Sequence, residues 1–432
     1  MDRIELIELI ELTNYRCFKK LKLPLKKKVN LLIGDNSSGK TTIIRALRHV
    51  LSSFFTGYSD ENTRFSGLSK ADFTVQETKL SIVNEARIKI RFEMLGGLSY
   101  LMLNSAKGRT LQIPLVSIFI YGKELKETLF DEMNNQQKAL PLFASFSTED
   151  IHSIRKLSMT SFKQYTHKPS FGYYECLQGD GFFQYWIKRL LILKEGGKGE
   201  LELACVRQSI QKALSSDGCN IINDMEIRPN QGRVYYYFID GREVMAENLS
   251  DGYKRLVNIV TDLAFRCALL NQGIYGESAC LKTNGTVLID EIDLHLHPNL
   301  QAIVLHGLQN AFPNLQFIVT THAPMVMTGI KTDKENIIYK LNYTKENEYE
   351  VHAVELYGMD ASTIINVALD TIPRTKEVDE DLNLLFQTID DDKYTEANIL
   401  LDKMKVRFGD SLPELIKAES MLNFLIKSDD KD

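Results

Sequence analysis

Apolar and polar positions follow one another with a period that changes along the chain, and the changes mark its elements. Ile4 to Leu12 repeats an apolar-acid-apolar triplet that suits neither a half-buried strand nor a helix, and it is assigned to a strand. Val29 to Ile33 is an unbroken apolar run that stops at glycine, after which Ile43, Leu47, Val50, Leu51 and Phe54 recur at helical spacing. From about Lys79 to Ile120 alternation such as Ala86 to Glu93 predicts antiparallel strands, with Gly96-Gly97 as a turn. Residues 150–230 read as mostly helical, with Trp186 and Ile187 in an apolar patch and an exposed loop at Gly196 to Gly199. Arg233 to Asp240 predicts a strand, and Leu256, Ile259, Val260, Leu263, Cys267 and Leu270 predict one face of a helix. Thr286 to Ile289 and Gln316 to Val319 have the short apolar form of buried parallel strands. Beyond Pro373 the pattern is helical, and no sustained heptads predict a long coiled coil.

The chain has 432 residues, 44% of them apolar, enough for a large core and more than one domain. Its net charge of −5 excludes a protein that coats nucleic acid by bulk positive charge. Nine basic against fifteen acidic residues give 371–432 a net −6, so the tail is not expected to touch DNA phosphates. No window is apolar enough to span a membrane and the N-terminus lacks a signal-peptide pattern, so the expected location is the cytoplasm. Six scattered cysteines, none at C-x-x-C spacing, are expected to be reduced and structural.

The chemistry begins at Gly34-Asp35-Asn36-Ser37-Ser38-Gly39-Lys40-Thr41, which fits the phosphate loop G-x-x-x-x-G-K-[ST] and lies between a predicted strand and helix. Its glycines let backbone N–H groups face phosphates; Lys40 would neutralise the β- and γ-phosphates and Thr41 would ligate Mg²⁺. Asn36, Ser37, Ser38 and Thr42 complete the expected ATP-binding set with Gly34 and Gly39. Val287 to Glu291 is an apolar strand that delivers two carboxylates at its end. Asp290 is expected to hold Mg²⁺ and Glu291 to polarise the attacking water, because hydrolysis needs one acid on the metal and one on the nucleophile.

Leu249-Ser250-Asp251-Gly252 resembles the Leu-Ser-x-Gly signature of ABC-type ATPases, against the plainer reading of Ser250 as a helix cap. The resemblance extends further. His322, just past the second buried strand, stands where that family has a switch histidine at the γ-phosphate. His295-Leu296-His297-Pro298 stands where it has a loop that meets the neighbouring subunit, and two histidines without a third ligand make a poor zinc site. Asn14-Tyr15-Arg16-Cys17-Phe18 resembles the opening segment of RecF/SMC-like members, which implies Arg16 near the nucleotide. The glutamine loop is not identified by any segment, and Gln76 is a weak candidate.

The chain as a whole is similar to ABC-type AAA ATPases of the OLD/RecF/SMC group, above all to ATPase subunits of Septu anti-phage defence, including retron-associated forms. The implied fold is an α/β P-loop ATPase head, a mixed sheet with helices and an antiparallel β arm, plus a helical insertion and a C-terminal helical region. The corresponding divisions are 1–148, 149–232, 233–370 and 371–432. In this family Leu249, Ser250 and Gly252 of one subunit would close over ATP and Mg²⁺ held by another, which implies a homodimer or higher homo-oligomer. Septu likeness further implies control of a separate HNH nuclease. OLD-type relatives carry their own nuclease domain, but the 110 residues after His322 lack its carboxylate pattern, so this chain is not expected to cut DNA itself. The alternative is a RecF/SMC-like repair ATPase that binds DNA directly. Its candidate surface is 151–174, where Arg155, Lys156, Lys163 and Lys168 interleave with Phe162 and Tyr165. A transporter's nucleotide-binding half fits the strand-rich arm less well.

Overall fold

A computed structural model of the protein describes residues 6–58, 65–72, 85–92, 98–104, 111–113, 116–130, 138–147, 169–178, 182–197, 199–344 and 348–429. They divide into two compact units, Met1–Ala361 and Ser362–Asp432. No helix among the described residues is long and apolar enough to cross a membrane.

Three sheets organise the described residues of the first unit. Strands β1 (Ile7–Tyr15) and β2 (Phe18–Pro24) form a hairpin, and β1 also pairs antiparallel with β4 (Glu85–Phe92), which continues into β5 (Leu98–Asn104) and β6 (Leu111–Ile113). The predicted antiparallel arm is therefore completed by the N-terminal hairpin. Its expected end at Ile120 is too late, because Val116–Phe130 is a helix. Gly96-Gly97 lies outside the described residues. The triplet pattern of β1 has a local cause: pairing with β4 shifts register between Ile7 and Leu9, so alternation resets and Leu9 and Ile10 are both buried.

The second sheet carries the chemistry. Its order is β14-β13-β3-β12-β11-β7, with β3 at Val29–Gly34, β7 at Leu142–Phe146, β11 at Gly285–Ile289, β12 at Leu315–Thr320, β13 at Ile337–Thr344 and β14 at Glu348–Val354. All neighbours are parallel except the β13–β14 hairpin at the edge. Strands β3, β11 and β12 are buried along their whole length, which is why they read as unbroken apolar runs. Buried Gln316 clamps the two sheets. Its Nε2 donates to the carbonyls of Ile7 (2.8 Å) and Lys26 (2.7 Å), and its Oε1 accepts from the Ile7 N–H (3.0 Å).

A third, smaller sheet joins β8 (Ile222–Arg228), β9 (Arg233–Phe238) and β10 (Glu243–Met245). Helices Phe183–Glu195 and Glu200–Leu214 precede it, separated by the predicted exposed glycine loop. The helix Asp251–Tyr275 departs from expectation: every residue from Arg255 to Asn271 is buried, so it is a central helix with no solvent face. Three of its buried polar residues, Asp262, Arg266 and Asn271, are paired inside. Asp262 accepts from Trp186 Nε1 (2.7 Å) and Arg266 Nε (2.6 Å), while Arg266 also reaches the carbonyls of Gly172 and Tyr174. All six cysteines are free thiols, and five are buried.

The second unit contains helices Lys376–Asp390, Tyr394–Phe408 and Pro413–Asp429 around Leu385, Ile389, Ala397, Leu401, Leu415 and Leu422. The apolar spacing of the sequence is the cause: each helix turns one stripe inward.

Candidate functional site

The site is assembled at the ends of β3, β11 and β12. Strand β3 stops at Gly34, residues 35–37 are exposed, and the chain enters the helix Lys40–Ser52 whose Ile43, Ile44, Leu47, Val50 and Leu51 are buried. Gly39 has φ +96°, and a Cβ there would stand 2.4 Å from Phe18 Cζ. No other residue type fits both demands. Lys40 is only 6% exposed and its Nζ donates to the carbonyls of Gly34 (2.8 Å) and Asp35 (2.7 Å). Burial pushes the ammonium down to about 8, against the pull of Asp290, Asp35, Glu291 and Asp293 in the other direction. A positive charge held at this cost, at the start of a helix, is matched by a polyanion.

From the neighbouring strands, Asp290 and Glu291 follow β11, with Asp290 2% exposed. Thr41 Oγ1 lies 3.3 Å from Asp290 Oδ1, so a hydroxyl and a carboxylate converge as hard oxygen donors of the kind Mg²⁺ takes. Thr320, fully buried at the end of β12, donates through Oγ1 to Asp290 Oδ1 (2.6 Å) and accepts from the Glu291 N–H (2.8 Å). Thr321 Oγ1 donates to Asp293 (2.6 Å). Glu291 has φ +51°, a left-handed backbone that a non-glycine residue adopts only when its surroundings impose it. Here the imposing groups are Thr320 and Arg255, whose guanidinium donates to the carbonyls of Asp290 (2.8 Å) and Glu291. His322 is half-buried, and burial followed by the charge of Lys40 holds its imidazole below the usual range, opposed by Asp293, Glu291 and Asp290. The downward shift favours the neutral ring, which can hydrogen-bond a phosphate oxygen.

Thus the structure brings Lys40, Thr41, Asp290, Glu291 and His322 within mutual electrostatic reach. The signature residues lie at the start of the Asp251–Tyr275 helix. Leu249 is buried; Gly252 is so close to the 292–297 turn that a Cβ would sit 2.2 Å from the His295 carbonyl; Ser250 is exposed. Ser250 occupies the cap position without a capping side-chain bond, so its hydroxyl is not spent on its own helix. His297 Nδ1 accepts from the Asn299 N–H (3.4 Å). Arg16 stands in the β1–β2 turn with φ +50°, its Nε on Asp72 Oδ1 (2.8 Å) and its backbone N–H on the Asp72 carbonyl (2.8 Å). The turn touches the phosphate loop through Cys17 and Phe18 at Gly39, while the Arg16 guanidinium is committed to Asp72. Gln76 and residues 151–168, including Arg155, Lys156, Phe162, Lys163, Tyr165 and Lys168, lie outside the described residues.

Sequence reasoning missed Thr320, Arg255 and Asp72. The first two carried a signal: a threonine ends the strand beside the acids, and an arginine follows the signature by one helical turn. Asp72 sits in a segment without periodicity.

The parallel sheet, its phosphate loop and the paired acids define a P-loop ATPase head. An "AAA domain" family matches residues 9–214, and an "AAA domain, putative AbiEii toxin, Type IV TA system" family matches residues 118–328. Both matched families are described as AAA domains, and between them the matches span residues 9–328. Among individual proteins it is similar to the "Retron Vc95 probable ATPase" of Vibrio cholerae serotype O1 biovar El Tor, 26% identical over 77% of this chain and 73% of that one. It is also similar to the "Septu protein PtuA" of Bacillus thuringiensis, 25% identical over 70% of this chain and 68% of that one. Among solved structures, an SMC head bound to the C-winged helix domain of ScpA shares a TM-score of 0.45 and 17% identity over 81% of this chain and 98% of that chain.

Proposed function

We propose that the protein binds and hydrolyses ATP in sites shared between two copies of itself, and that nucleotide state controls a separate HNH-type nuclease in an anti-phage defence complex. The observation that carries the ATPase reading is the convergence of Lys40, Thr41, Asp290 and His322 at the ends of three adjacent strands. Thr41 and Asp290 would hold Mg²⁺, which when bound offsets charge on the β- and γ-phosphate oxygens. Lys40 would leave its carbonyl partners for the same phosphates, and the loop N–H groups from Asn36 to Thr42 would line the rest. Glu291 would orient and deprotonate the attacking water, and His322 would donate to the γ-phosphate. The exposed, uncapped Ser250 hydroxyl is available to a second copy, which is compatible with closure in trans. Likeness to a retron probable ATPase and a Septu protein supports the defence role, and the nuclease partner follows from the Septu resemblance of the sequence.

Equilibrium binding of labelled ATP with Mg²⁺ tests the site. Lys40→Ala should abolish binding, whereas Glu291→Gln should keep ATP and accumulate dimer. Normal turnover by the Glu291→Gln protein would remove that residue from its role. Copurification of the full chain from its host, with partners identified by mass, should recover a nuclease; recovery of bound DNA with no nuclease would favour a repair ATPase.

A further inference from the structure

The β13–β14 hairpin carries an aromatic pair that nothing described above uses. Tyr343 and Tyr349 are directly opposed across the two strands, with ring centroids 4.9 Å apart. Tyr343 is 59% exposed, a large apolar area to leave in water. Tyr349 is half-buried, edge-on to Phe18 at 5.2 Å, and Phe18 is the ring against which Gly39 of the phosphate loop packs. The Cys17 thiol is within hydrogen-bonding reach of both the Tyr349 hydroxyl and Thr42. The pair therefore stands beside the Thr42 side of the loop.

Sheet order gives this position its meaning. The acids and His322 follow β11 and β12 on one side of β3, while β13 and β14 lie on the other. A triphosphate whose γ-end meets Asp290 and His322 runs its β- and α-phosphates along the loop, away from those strands. Such a course would bring ribose and base out on the β13–β14 side. An exposed ring braced by a second ring is a surface on which a base stacks, with its face in contact and little side-chain entropy left to lose.

We propose that Tyr343 and Tyr349 form a stacking platform for the base of the bound nucleotide, so that the hairpin selects nucleotides over bare polyphosphate. Tyr349 is held by Phe18 and Cys17, and Tyr343 offers the open face. Because stacking uses the π-face, the platform accepts either purine. This inference rests on the assignment of the loop as a triphosphate site.

Calorimetric titration of the full chain with MgATP and, separately, with magnesium tripolyphosphate tests it. Tyr343→Ala and Tyr349→Ala should each weaken ATP by roughly 5- to 100-fold and leave tripolyphosphate unchanged, whereas Tyr343→Phe should bind ATP as the wild type does. Circular dichroism melting of each variant reports whether the hairpin's packing survives. Unchanged ATP affinity in both alanine variants overturns the platform, as does an equal loss of both ligands, which would make the hairpin only a support for the loop. Lys40→Ala separates the two readings: loss of both ligands there, with no loss in the tyrosine variants, leaves the phosphate site standing without the platform. A wild-type protein that binds neither ligand overturns both.

Discussion

Replacing Thr320 by valine keeps the shape of a fully buried side chain and removes one hydroxyl. That oxygen donates to Asp290 Oδ1 at 2.6 Å and accepts from the Glu291 N–H at 2.8 Å, so it ties both acids to the end of β12. A hydrogen bond to a charged group contributes about 1.5–3 kcal/mol and a buried N–H left unpaired costs about 1 kcal/mol more, so the change should destabilise the first unit by about 2–4 kcal/mol. Trp186, the only tryptophan, is stacked on Phe265 in that unit, and its fluorescence during urea unfolding reads this loss without interference from the C-terminal helices. The Mg²⁺ concentration needed for ATP binding should rise as well, since Asp290 loses the group that fixes its carboxylate. Thr320→Ser, which keeps the hydroxyl, should stay close to wild type. A loss below about 0.5 kcal/mol with unchanged Mg²⁺ dependence would refute the assignment of Thr320 as the anchor of both acids.

Other outcomes follow from the same geometry. With Lys40 held down to about 8, the nucleotide-free fold binds fewer protons than the unfolded chain between about pH 8 and 10.5. Stability from this group therefore rises with pH across that window, and phosphate binding should take up about half a proton at pH 8, read from calorimetry in buffers of different ionisation enthalpy. Gly252→Ala places a methyl against the His295 carbonyl, 2.2 Å away, and should lower the unfolding midpoint and displace the 292–297 turn, visible as faster amide exchange there. Ser250→Ala should leave the melting temperature unchanged, because the hydroxyl makes no cap bond, and should reduce ATP turnover.

Much of the site was legible because its chemistry is local. The loop from Gly34 to Thr41 names its own contacts, and the buried strands β3, β11 and β12 appear as apolar runs on either side of the residues they deliver. What joins distant segments was not legible. Arg255 clamps carbonyls 35 and 36 residues away, and Asp72 holds Arg16 across 56. No local pattern encodes such pairs. The all-round burial of the Asp251–Tyr275 helix was hidden by its polar residues: Asn258, Asp262, Arg266 and Asn271 imitate a solvent face until their buried surroundings are seen. The uneven spacing of β1 needed the register shift against β4 to become intelligible.

Complementation between two inactive variants tests the composite site most directly. Lys40→Ala lacks a working phosphate loop and Ser250→Arg lacks a working signature, and each alone should show no turnover. Mixed in equal amounts and allowed to exchange, half the dimers carry both chains, and each of these has one site built from intact parts. Turnover should then return to about a quarter of the wild-type value. Complete absence of recovery, with subunit exchange verified by mass, would show that loop and signature do not meet across two copies.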